Sequence, residues 1–322
     1  VMLTGGCQAD AVPSSPSDPA TTETGNDASG SLIVYSGRNE NLVGPLLEQY
    51  ASESGVSVEV RYGSTAEMAA TILEEGSNSP ADLFFGQDAG ALGALARTGR
   101  CTALPSSLSD QVDERFVSPE SQWLGTSGRA RVLVYNTERL SEADLPASVF
   151  DLTDEQWRGR VGWAPTNGSF QAFVTAMRVH AGEEATRAWL ADMIANDVQV
   201  YPKNTPIVEA TGKGEIDVGL VNHYYLFRFL AEDPDFTAAN YYFPAGDMGA
   251  MINVAGVCVI DTSERQAQAQ DLIAFLLSDQ AQQYFADETI EYPLTNRELA
   301  INPALKPLAE IDTPDFDLGD LE

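Results

Sequence analysis

The stretch Leu32-Ile33-Val34-Tyr35-Ser36-Gly37-Arg38-Asn39 decides the fold. Its four leading apolar residues predict a short strand, and residues 36–39 a turn. Behind the turn, Leu42, Leu46, Leu47 and Tyr50 recur at helical spacing, which predicts a helix over 42–54. Residues 56–62 alternate as a second strand. Residues 65–75 carry Met68, Ala69, Ile72 and Leu73 at helical spacing, 81–85 read as a third strand, and 90–97 as a third helix. Strand and helix in alternation predict an α/β protein with a parallel, doubly wound sheet. Ligands of such sheets bind beyond the carboxyl ends of the strands. Ser36, Gly37, Arg38 and Asn39 follow the first strand, and Gly86, Gln87 and Asp88 the third, so these are candidate ligand residues.

The pattern then repeats. Residues 130–136 and 160–163 read as strands, the second running into Ala164-Pro165-Thr166-Asn167-Gly168-Ser169 and a helix over 170–181. Asn167 and Ser169 are helix-capping types, and Gly168 lets the backbone approach a ligand. A helix start with free N–H groups attracts anions, although plain capping is the commoner use of these residues. Residues 198–201 form a strand followed by Pro202-Lys203-Asn204-Thr205-Pro206, and residues 215–221 form the strand that delivers Tyr224 and Tyr225. Three strand ends therefore converge, at 166–169, 203–205 and 222–225. A β-rich run near 252–260 and a helix over 265–277 follow. A chain that leaves one lobe, builds another and returns crosses twice, near 127–131 and 252–257. The acidic tail at 312–322 is expected to be loosely held.

Adjacent phenols at a strand's carboxyl end can clamp a hard, highly charged cation, and ferric iron is the leading candidate, because metal drives off the phenolic proton. The bland alternative is core packing with each hydroxyl partnered. Tyr241-Tyr242 is a second such pair, but it reads as loop before Pro244 with no strand ahead of it. Context therefore favours Tyr224 and Tyr225.

The chain has 322 residues, 43% of them hydrophobic, enough for two ordinary domains. A formal net charge of -30 argues against nucleic acid and against tight binding to anionic lipid. Two distant histidines, His180 and His223, disfavour a multi-histidine site. Val1-Met2-Leu3-Thr4-Gly5-Gly6-Cys7 reads as the end of a lipoprotein signal with Cys7 as the lipidated residue, and residues 8–30 as a flexible tether. That layout implies an extracytoplasmic body held by a lipid anchor on the outer face of the cell membrane or in the periplasm. In such an oxidising setting Cys101 and Cys258 are free to pair, and their spacing leaves the question open. No nucleophile elbow, phosphate-binding loop or histidine acid/base pair is present, so a non-enzyme is expected.

Several blocks carry a resemblance: Val34-Tyr35-Ser36-Gly37-Arg38, Ser79-Pro80-Ala81-Asp82-Leu83-Phe84, Ser127-Gly128-Arg129-Ala130-Arg131-Val132, Ala164 to Phe170, Tyr201-Pro202-Lys203-Asn204, Asn222-His223-Tyr224-Tyr225 and Glu291-Tyr292-Pro293-Leu294. In this order, over residues 31–306, they resemble the ferric-iron-binding substrate-binding proteins of bacterial ABC importers, which have the two-lobed periplasmic-binding-protein type 2 fold with two hinge crossovers. The resemblance implies lobes of 31–128 plus 256–288 and 129–255 plus 289–322, after a leader of 1–30. It implies Fe3+ on Tyr224 and Tyr225, with a synergistic anion (carbonate or phosphate) on Asn167, Gly168 and Ser169 beside Asn204. Some members place a ligand histidine where Asn39 stands and a ligand glutamate where Gln87 stands, so the protein donor set here is reduced. Arg38 is expected to neutralise the anion, with Ser36 beside it. The implied partners are an ABC permease and its ATPase, met by a monomer. The competing reading is a metal-independent receptor for a phosphorylated or phosphonate small solute, using the same strand ends.

Overall fold

The computed structural model describes Val1 and residues 30–321, so Cys7 and the tether lie outside the described residues. Strands β1 (Leu32–Ser36), β2 (Val58–Tyr62) and β3 (Leu83–Gly86) pair in parallel with β1 in the middle. Helices α1 (Glu40–Ser54), α2 (Thr65–Glu75) and α3 (Ala89–Arg97) follow them in turn. The Asn39 side chain accepts from the Asn41 amide and caps α1, and Ser64 and Glu67 form a capping box that starts α2. At Gly37 a β-carbon would stand 2.3 Å from the Thr65 hydroxyl, so glycine lets the start of α2 close over the first strand's turn.

A short helix α4 (Ser106–Ser109) precedes β4 (Leu124–Asn136), a fully buried strand shared by both halves. Its first part, up to Ala130, pairs antiparallel with β9 (Ile252–Val259), which also pairs with β3. From Arg131 onward it pairs with β7 (Val218–Asn222) and β8 (Ala238–Tyr241). The second half holds β5 (Val161–Trp163) parallel to β7 and to β6 (Gln199–Val200). Its helices are α5 (Gly168–Ala181), α6 (Glu183–Ala195), α7 (Asn204–Gly212) and α8 (Tyr224–Glu232). Helices α9 (Gln266–Leu276) and α10 (Asp279–Asp287) return to the first half, and β10 (Tyr292–Pro293) pairs with Gly128 and Ser127 of β4. The sheet changes partners at Ala130, which faces Ile252, and Arg131, which faces Asn222. Both expected crossovers meet at this place.

The first half packs Leu32, Val34, Phe84, Phe85, Val257 and Val259 out of water, and a Cys101–Cys258 disulfide joins residues 157 apart inside it. The second half centres on Trp163, Phe170, Phe173 and Trp189, whose rings contact mostly edge to face.

Four local expectations change. Tyr224 and Tyr225 occupy the first turn of α8 rather than a strand end. Tyr241 closes β8, so the second tyrosine pair does follow a strand, held by four cross-strand partners on β4. Residues 289–321 are bound to the first half as well as the second, through β10 and through 318–320 against α3. The acidic tail is docked, because Leu318 and Leu321 supply apolar anchors between its carboxylates.

Candidate functional site

A cleft of about 810 Å³ opens between α2 and α3 on one side and α5 and α8 on the other. Both Tyr224 and Tyr225 line it. Their rings stack with centroids 4.4 Å apart at 28°, which brings adjacent phenols to the same cleft. They begin α8, so the positive end of the helix dipole lies beside them and favours phenolate. Opposing this, burial first and the neighbouring Tyr225 phenol second push the Tyr224 pKa above its ordinary value of 10.0. A cation that displaces the proton removes that opposition.

Strand β4 supplies positive charge. Arg129 and Arg131 stand two residues apart and share a face of it. Arg129 lines the cleft, 3% exposed; one guanidinium nitrogen donates to the Gln87 carbonyl and its Nε has no protein partner. Arg131 is buried beneath, its guanidinium 5.4 and 5.2 Å from the Phe170 and Phe173 ring centres. Burial draws its pKa down to about 9, with the two tyrosines acting in the opposite direction, so it stays charged at neutral pH.

Loop 167–169 forms the third wall. The Asn167 side chain accepts from the Ser169 amide at 3.1 Å and hydroxyl at 2.6 Å, capping α5. Gly168 is exposed, and a β-carbon there would meet nothing within 4 Å. Asn204 is fully buried behind the loop, its amide 3.4 Å from Asn167 Oδ1 and 3.5 Å from Ser169 Oγ. It props the loop and is absent from the cleft wall, whereas Gln87 is part of that wall.

The turn after β1 is used differently from its sequence reading. Ser36 is buried and binds the Arg38 backbone. The Arg38 guanidinium is consumed by Glu291 and by Gln87 Oε1, and Asn39 caps α1 in an exposed position. None of the three lines the cleft. The arginine that faces the cleft is Arg129 rather than Arg38, and the sequence reading gave Arg129 no role. Its signal was the i, i+2 arginine pair, hidden because the strand was expected to start only at Ala130.

His223 is also structural. Its Nδ1 accepts from the Ala130 amide at 3.1 Å and its Nε2 bonds the Ile290 carbonyl at 2.8 Å. Burial pushes its pKa down to about 4, so the ring is neutral and donates from Nε2. It pins the crossover next to the tyrosines. Among the described residues no group of three or more His, Cys, Asp or Glu could hold a metal; the cleft wall carries the phenols of Tyr224 and Tyr225 and one carboxylate, Asp88, which caps α3.

Comparison with known proteins agrees with this architecture. Residues 78–318 match the family described as bacterial extracellular solute-binding protein. The chain is 32% identical over 294 residues to a Fe(3+)-binding periplasmic protein of Serratia marcescens, spanning 90% of this chain and 86% of that one. It is 32% identical over 288 residues to the major ferric iron-binding protein of Neisseria meningitidis serogroup A, spanning 88% and 86%. Iron-bound HitA from Pseudomonas aeruginosa superposes with a TM-score of 0.82 at 32% identity, over 90% of this chain and 94% of that one. Trichodesmium IdiA (FutA), solved with iron and citrate, superposes at 0.79 with 25% identity, over 91% and 95%. The chain therefore belongs to the bacterial extracellular solute-binding protein family and has the two-lobed periplasmic-binding-protein type 2 fold.

Proposed function

We propose that this chain is an extracytoplasmic receptor that captures ferric iron together with an exogenous anion and delivers it to an ABC permease and its ATPase, catalysing no reaction itself. The observation that carries this reading is the stacked pair Tyr224 and Tyr225 on one cleft wall, at a helix N-terminus. Two phenolates are hard anionic donors suited to a hard trivalent ion. The relatives named for ferric iron support it.

Charge counting calls for the anion. A trivalent ion on two phenolates keeps one net positive charge, and Arg129 and Arg131 add two more in a partly desolvated cleft. Gln87 supplies no charge to offset them, and the Asp88 carboxylate that caps α3 on the cleft wall offsets only one, leaving a net excess of two. An anion held between Arg129 and the 167–169 loop offsets this excess and fills positions that two protein donors leave open, out of about six. Carbonate and phosphate both suit the loop. The lobes, 31–128 plus 256–288 and 129–255 plus 289–322, close about the Ala130 crossover. Cys7 carries a lipid anchor, and the receptor acts as a monomer.

Ferric loading tests the reading. With iron offered as a weak chelate and carbonate or phosphate supplied, the protein should turn orange to red from tyrosinate-to-iron charge transfer. A protein that stays colourless and retains a sugar phosphate instead replaces this reading with the metal-independent one.

A further inference from the structure

Residues 312–321 touch both lobes. On the second lobe the Gly246 amide donates to the Asp312 carbonyl at 3.0 Å, and the Phe316 ring lies 6.4 Å from the His180 ring of α5. On the first lobe the turn Leu318–Asp320 lies along α3. Gly93 and Gly319 meet there backbone to backbone, since a β-carbon on Gly93 would stand 2.0 Å from the Gly319 carbonyl oxygen. One helical turn on, Arg97 donates to that same carbonyl at 2.8 Å and reaches Asp320 at 3.4 Å. Leu318 and Leu321 are buried at 7% and 5% exposure. Leu321 is itself a wall of the ligand cleft, with Ala91 and Ala94 of α3 and Ala172 and Thr175 of α5.

We propose that residues 312–321 are a latch between the lobes that slows escape of bound ligand from the cleft. The latch rests on the cleft being the ferric site proposed above. Separating the lobes must pull the segment off one of its two seats. Leaving α3 exposes Leu318 and Leu321 and gives up the Arg97 bonds; leaving the second lobe gives up the Gly246 bond and the Phe316 contact. Leu321 moves with the latch, so undocking also removes one apolar wall and admits water. Opening and release are thereby coupled to one small surface, the glycine-to-glycine contact.

Gly93→Ala tests this with a single methyl group. Alanine suits a helix interior, yet its β-carbon collides with the seated segment. Deleting residues 312–322 removes the latch outright. Gly44→Ala in α1 is the control, where a β-carbon meets its neighbours at an ordinary 3.5 Å. Iron release into excess competing chelator is followed as decay of the charge-transfer colour. Both latch variants should release iron about tenfold faster than the parent, with the absorption maximum unmoved and the Gly44→Ala rate unchanged. Release at the parent rate, or slower, overturns the latch. Small-angle scattering of ligand-free protein reads lobe tethering without iron, so it stands even if the ferric reading fails. The latch variants should show a larger radius of gyration than the parent, and superimposable curves would overturn the proposal.

Discussion

Arg38 and Glu291, 253 residues apart in the chain, meet in a two-pronged ion pair, with Nη1 and Nη2 each donating to a carboxylate oxygen at 3.0 Å. Both are sealed from solvent, and the Ser127 hydroxyl adds a 2.5 Å bond to the same carboxylate. The pair ties the turn after β1 to the segment leading into β10, and through Ser127 to β4. It fixes the first lobe's rim against the crossover strand.

Removing one partner strands a buried charge. Glu291→Gln or Arg38→Met should lower unfolding free energy by roughly 3–5 kcal/mol in urea titrations. A loss under about 1 kcal/mol would mean that water reaches the pair.

The same pair sets an acid limit. Burial would raise the Glu291 carboxyl, but the charges of Arg38 and Arg129 and the bonds from Arg38 and Ser127 hold it below its ordinary value of 4.5. A carboxyl depressed by folding stabilises the protein above 4.5, and that contribution fades as pH falls through the lower, folded value. The parent should therefore lose urea resistance below pH 4.5 more steeply than Glu291→Gln. Parallel slopes would remove Glu291 as the titrating group.

Arg129 should govern the anion rather than the metal. Arg129→Gln should raise the carbonate or phosphate concentration needed for half-maximal colour by about tenfold or more, while keeping the absorption maximum set by the tyrosines. An unchanged anion requirement would show that the anion does not sit against Arg129.

Ferric binding should release about two phenolic protons, because burial holds Tyr224 protonated and metal must displace that proton. The logarithm of the apparent affinity should then rise by about two per pH unit below neutrality, at fixed anion protonation. A slope near zero would mean that the phenols are not ligands.

The Cys101–Cys258 disulfide lies in the first lobe and closes a long loop that includes residues 129–255 of the second. Replacing both cysteines with alanine should cost roughly 2–5 kcal/mol of stability and leave ferric affinity within about twofold, since neither sulfur lines the cleft.

The alternating lobes were legible because strands and helices announce themselves by period, and the crossovers followed from the chain's return. A strand ahead of the tyrosines did not separate the two pairs, since β8 runs into Tyr241 as well; the fold separates them by putting Tyr224 and Tyr225 on the cleft wall. What remained hidden depended on partners distant in sequence. Arg38 has the chemistry of an anion binder, and only the fold brings Glu291 to claim it. Arg129 fell just outside the expected strand, so its shared face with Arg131 went unread. The tail's carboxylates spoke for a loosely held segment, while the two leucines that hold it need α3 and the cleft to have meaning.

The central claim is tested most directly by ferric titration of three single variants, read as charge-transfer absorbance. Tyr224→Phe and Tyr225→Phe should each abolish the colour. Tyr242→Phe should retain it, because that hydroxyl is engaged by Tyr292 at 3.0 Å away from the cleft wall. Full colour in both Tyr224→Phe and Tyr225→Phe, or its loss in Tyr242→Phe alone, would contradict the account.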